Sequence, residues 1–122
     1  MIEELDGKPP VVRSTVGVLD HAESRKLLVA HNRRVVAIGG VSSEVAVLQS
    51  VLGARRLGYS VHVLVDVCGS LSERTEQAAF RQMEQAGATL SSVPSFLTGL
   101  TPDLDDPRFQ AVLGLLSRLW AD

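Results

Sequence analysis

Apolar, β-branched runs alternate along the chain with helix-forming stretches, and their order predicts an α/β protein. Arg34-Val35-Val36-Ala37-Ile38-Gly39-Gly40 is an apolar run closed by two glycines, which suits a strand at 34–40 buried on both faces of a parallel sheet. A helix over 44–57 follows, apolar nearly all round through Val45, Ala46, Val47, Leu48, Val51, Leu52 and Ala54. Gly58 stops it, and its pattern is that of a buried helix. Residues 60–66, Ser-Val-His-Val-Leu-Val-Asp, form the second run and lead through Gly69-Ser70 to a helix over 72–86 capped by Ser72. Ala78, Ala79, Met83 and Ala86 make the inward stripe of that helix, and Gly87 ends it. Residues 88–93 give a third strand of weaker pattern, broken by Pro94. Asp106 and Pro107 then cap and open a last helix, on which Phe109, Val112, Leu113, Leu116, Leu119 and Trp120 share a face that serves as core or as an oligomer contact.

The beginning of the chain is plainer. Residues 1–10 form an acidic tail, and Pro9-Pro10 impose an extended entry into a short strand at Val11-Val12-Arg13. Asp20 and Glu23 have the form of a capping box for a short helix over 22–31. The expected architecture is a three-layer α/β/α parallel sheet of Rossmann-like type, forming one domain over residues 11–122.

Composition narrows the function classes. A chain of 122 residues has room for one core, and 45% hydrophobic against 21% charged residues is a globular balance rather than a disordered one. Twelve Lys and Arg against 14 Asp and Glu leave a net charge of -2, which gives no general attraction to phosphate backbones, so nucleic acid is not an expected partner. No stretch approaches the ~20 apolar residues of a membrane span. Glu3, Glu4 and Asp6 stand where a signal peptide would be basic. The single cysteine, Cys68, has no intrachain partner and reads as a small buried hydrophobe, which suits a cytoplasmic protein. His21, His31 and His62 lack ligand spacing, so neither a metal nor a cofactor is expected.

In an open parallel sheet the chemistry sits beyond the C-terminal ends of the strands, here residues 39–43 and 66–70. Ser42 and Ser43 can cap the helix that opens at Glu44, whose carboxylate suits the positive end of the helix dipole. The glycine pair serves the tight turn, since neither a dinucleotide-binding fingerprint nor a P-loop lysine accompanies it. Asp66 caps a loop or the next helix, and Arg33-Arg34 and Arg55-Arg56 read as solvated charges.

Gly39-Gly40-Val41-Ser42-Ser43-Glu44-Val45-Ala46-Val47, then Leu57-Gly58-Tyr59, then Val63-Leu64-Val65-Asp66-Val67-Cys68-Gly69 resemble the isochorismatase-like cysteine hydrolase family. Ser72-Glu73-Arg74-Thr75, Ala78-Ala79, Met83 and Ala86-Gly87-Ala88 continue the match. The resemblance covers roughly residues 11–116 and implies that family's fold. It also implies a nucleophilic cysteine at position 46, where this chain has alanine. Gly40, Val41, Ser42, Ser43 and Val45 are then the turn and oxyanion positions, with backbone N–H groups that could hold a tetrahedral intermediate. Loss of such a nucleophile typically costs on the order of a million-fold in turnover.

The family's site also has a lysine on a short strand before the cysteine-bearing unit, and Arg13 falls about there. Arginine holds negative charge but is a poor proton shuttle. Otherwise Arg13 is a solvated or ion-paired surface residue. The aspartate on the family's first strand has no counterpart, so the resemblance implies an N-terminally truncated domain. In the family that first strand lies beside the equivalent of 34–40, and its absence leaves an apolar strand edge that invites pairing. The expected cover is a second copy of the chain or a separate subunit that also brings the aspartate. The expected function is binding, with a small molecule as possible ligand, or assembly, without catalysis by the chain alone. The alternative is a hydrolase of C–N (amide or ureide) or vinyl-ether bonds completed by a partner chain.

Overall fold

The computed structural model describes residues 10–121. Of the expected tail only Pro10 falls within that range, and the side chains of Leu119 and Trp120 lie outside what is described. Three parallel strands form one sheet in the order β1 (Val35–Val41), β2 (Ser60–Gly69), β3 (Thr89–Ser91). Five α-helices accompany them among the described residues: α1 (Ala22–Ala30), α2 (Leu48–Arg56), α3 (Glu73–Gln85), α4 (Val93–Leu100) and α5 (Pro107–Ala121). No helix among the described residues is long and apolar enough to cross a membrane.

The β-branched runs extend because their side chains pack well on a pleated face. Val61 and Val63 of β2 point into a core that also holds Val51 and Ala54 of α2 and Ala79, Phe80 and Met83 of α3. Val51, Val63 and Met83 are fully excluded from solvent, and burying a side chain of this size stabilises by about 1.5–3 kcal/mol. Alternation puts His62 on the opposite face, where its ring meets Phe96 of α4 at 5.3 Å between centroids. Helices therefore cover β2 on both sides.

Several elements differ from expectation. Val11-Val12-Arg13 is not a strand; among the described residues no neighbouring strand pairs with it. β1 is not buried on both faces: Val35, Ala37, Gly39 and Val41 are exposed and alternate with half-buried Val36, Ile38 and Gly40. Among the described residues it is an edge strand, with its Val35–Ala37 face open. The capping box does not form, because His21 is the N-cap of α1 and makes no side-chain cap bond. Asp20 instead closes a 3-10 turn and lies 3.6 Å from Arg56.

On α3 Ala78 faces solvent and Phe80 takes its place in the core. Arg55 is not a solvated charge. Its guanidinium donates to the Tyr59 carbonyl at 2.7 Å and the Ala86 carbonyl at 3.0 Å, joining the C-terminal ends of α2 and α3. Pro94 does not break the chain but sits in the first turn of α4, capped by Ser92. On α5 Val112 and Leu116 are buried while Leu113 is exposed, so the apolar stripe is narrower than its spacing suggests.

Candidate functional site

The turn after β1 is set by its glycines. Gly40 has φ of +140°, a conformation that side-chain-bearing residues rarely adopt. At Gly39 the constraint is space, since an added Cβ would fall 2.6 Å from Cγ2 of Val67. Val67 comes that close because β2 bulges: Ile38 pairs with Val63, yet Gly40 pairs with Cys68. The helix then opens not as a regular α-helix but as a π-helical turn, Ser43–Val47, that runs into α2. The amides of Val45 and Val47 both donate to the Ser42 carbonyl.

Ser42 and Ser43 do not cap this helix through their side chains. Ser43 is fully buried and turned inward, its hydroxyl 3.0 Å from the Gly69 carbonyl and 2.6 Å from Oε2 of Glu76. With one proton, that hydroxyl can donate to one of these acceptors at a time. Glu44 reaches the other way. Its carboxylate accepts from the Leu71 amide at 3.1 Å and from the Thr75 hydroxyl at 2.7 Å. Two adjacent side chains thus tie the start of the helix to the end of β2, the loop after it and the first turn of α3.

The Thr75 hydroxyl, opposed by desolvation and helped by the Glu44 and Leu71 amides and the Ser42 hydroxyl, holds the Glu44 carboxyl below its ordinary value. A group whose pKa is lowered by folding stabilises fully above its unfolded value and loses that contribution as pH falls through the folded one. The stability difference between the protein and its Glu44→Gln variant should therefore be constant near neutrality and shrink in acid. Chemical denaturation across that range measures it, and a pH-independent difference would remove Glu44 from this role.

Cys68 stands across the bulge from Gly40, half-buried. Burial pushes its thiol pKa up, against the Gly40 amide and Ser43 hydroxyl, with Glu76 and Asp66 adding to the rise. It is a thiol at neutral pH and a poor nucleophile. Asp66 accepts from the Val93 amide at 3.0 Å and so holds the start of α4 rather than that of the helix next in sequence. Among the described residues no three His, Cys, Asp or Glu side chains converge as a metal site would require.

An open groove of about 620 Å³ runs along β1, walled by α1, α2 and the segment before them. Ala46, Arg13, Gly40 and Val41 all line it. Ser42, Ser43 and Val45 do not: Ser43 points to the opposite side, and Val45 is exposed. The Arg13 guanidinium folds back onto its own loop, with Nε donating to the Thr15 carbonyl at 3.1 Å.

A doubly bonded helix start at the C-terminal end of a parallel strand, beside an open groove, is the strand–turn–helix layout of α/β proteins that bind or transform small molecules at the sheet's C-terminal edge. The model of the isochorismatase domain matches residues 1–95, and the chain belongs to that family. It is 32% identical over 84 residues to the secreted isochorismatase effector Isc1 of Phytophthora sojae, covering 69% of this chain and 40% of that protein. It is likewise 32% identical over 83 residues to isochorismatase domain-containing protein 2 of Bos taurus, covering 68% of this chain and 41% of the other. The chain therefore spans about 40% of the length of these curated relatives. Among solved structures, the Escherichia coli YcaC gene product, described as an octameric hydrolase of unknown specificity, superposes with a TM-score of 0.86 at 28% identity. That match covers 94% of this chain and 56% of YcaC.

Proposed function

We propose that this chain is a binding or assembly member of the isochorismatase family that does not catalyse hydrolysis alone. The observation that carries this reading is Ala46, whose methyl group lines the groove at the position where the resemblance places the nucleophilic cysteine. A methyl group cannot attack a carbonyl, and the thiol of Cys68, held protonated across the bulge, is no substitute. Gly40 and Val41 of the turn lie with Ala46 along that groove, and Arg13 in its wall supplies positive charge for an anionic small-molecule ligand. A second chain covers the free edge of β1, in keeping with the octamer formed by YcaC. Cys68, the one cysteine of the chain, suits the cytoplasm, where we place it.

A second reading is favoured by that open edge: a hydrolase of C–N or vinyl-ether bonds whose missing groups come from the covering chain. Replacing Ala46 by cysteine separates the two. Against a panel of amides and ureides, A46C should turn over no faster than the parent protein, even with candidate partner subunits added. Steady hydrolysis by A46C would show that the site lacked only its nucleophile and would overturn the binding reading.

A further inference from the structure

We infer that the Ser43–Val47 turn has two registers, that its ties to the end of β2 and the start of α3 hold it in the π form, and that its α form carries position 46 out of the groove. This rests on the reading of Ala46 as a groove residue and adds what controls its presentation.

The first observation is where the amides of the turn point. The Val47 amide donates to the Ser42 carbonyl at 3.0 Å and the Leu48 amide to the Ser43 carbonyl, each five residues back. A regular α-helix would use the Ser43 and Glu44 carbonyls, four residues back. The Leu48 amide also reaches the Val45 carbonyl, and the Ser42 carbonyl also takes the Val45 amide at 3.3 Å. One amide thus serves two carbonyls, and one carbonyl serves two amides. A single π turn holds one residue more than an α turn, and such turns gather at functional sites. Moving each amide to the next carbonyl along converts one register into the other.

The second observation is what the two ends of the turn allow. Downstream, Val47, Leu48 and Val51 are buried in the core and Arg55 grips the Tyr59 and Ala86 carbonyls, so α2 keeps its place. Upstream, Val41 is exposed and Gly40, at φ of +140°, has a freedom that other residues lack. The residue released from the turn passes into that loop. The change therefore falls on residues 43–46, and shedding one residue rotates them by about 100°. Such a rotation takes Ser43 from its buried site and Ala46 from the groove.

The third observation is that the side-chain ties depend on the π register. Ser43 faces the Gly69 carbonyl and Glu76, and Glu44 accepts from the Leu71 amide and the Thr75 hydroxyl. Rotation removes both side chains from these partners, so the ties separate the two registers in free energy. A difference in contacts between two states is what lets one part of a protein bias another. The first turn of α3 thus sets what the groove presents beside Arg13.

Scalar couplings across hydrogen bonds, measured by NMR on the full isotope-labelled chain, identify the carbonyl that accepts each amide. In the unmodified protein Val47 should couple to Ser42 and Leu48 to Ser43. With Ser43→Ala and Glu44→Ala combined, the couplings should move to positions 43 and 44, and the Ala46 methyl should lose its contacts with the other groove side chains. Thr75→Val removes one donor from outside the turn. It should raise the ratio of α to π register about tenfold or more, read as exchange confined to residues 43–47. Should the double variant unfold, Thr75→Val decides by itself. α couplings in the unmodified chain overturn the inference, as do π couplings without exchange in Thr75→Val or an Ala46 methyl that stays in the groove after the shift. Hydrolysis by A46C, which would end the binding reading, leaves these couplings unchanged, so the two failures are told apart.

Discussion

Replacing Met83 by alanine should lower the free energy of unfolding by about 2–5 kcal/mol. Met83 has no solvent exposure and lies in the core where α3 meets the sheet, with Val61, Val63 and Phe80 in the same cluster. Val63 is paired on both sides, with Ile38 of β1 and Leu90 of β3, and Val61 is paired with Val36 of β1, so the backbone resists moving to fill the cavity. The total stability of a domain of this size is about 5–15 kcal/mol, so one side chain carries a large share of it. Met83→Leu, which conserves volume, should cost less than about 1.5 kcal/mol. Urea titration compares the three proteins, and equal midpoints would show that α3 does not pack on the sheet as described.

The second large effect concerns Ser43. Removing its hydroxyl leaves a buried carbonyl and a carboxylate without their shared donor, a loss of about 1–3 kcal/mol. Ser43→Ala should therefore destabilise although it deletes a single atom. The tie to Glu76 is isolated by a double-mutant cycle with Glu76→Ala, in which the coupling should reach about 0.5–3 kcal/mol. Additive effects would mean that the 2.6 Å contact does not join the π-helical turn before α2 to α3 energetically. The same variant should loosen the groove's mouth, because the turn carrying Ala46 is tied at Ser43 and Glu44.

The parallel order of the strands was legible in the chain because β-branched runs and helical stretches alternate with glycine stops, and the family was legible in the loop residues around Gly39–Ala46. Tertiary contacts decided what was missed. Nothing in the local pattern of Val35–Val41 tells an edge strand from a central one, since its neighbours lie elsewhere in sequence. The serines after the glycines have the composition of helix caps, and only the approach of Gly69 and Glu76 turns Ser43 inward. The signal for that tie was present in Ser72 to Glu76, whose polar first turn needed a partner. Arg55 was misread for a similar reason: the carbonyls that it joins belong to two different helix ends. α4 was hidden by Pro94, which opens a helix as readily as it breaks one when a serine caps the turn before it.

Amide hydrogen exchange along β1, read together with sedimentation over a range of concentrations, bears most directly on whether this strand is completed by another chain. The alternate amides of Val35–Val41 that point away from β2 should be protected in the associated protein and lose that protection as dilution separates the chains. A well-folded monomer at micromolar concentration whose outward amides exchange at unprotected rates would contradict it.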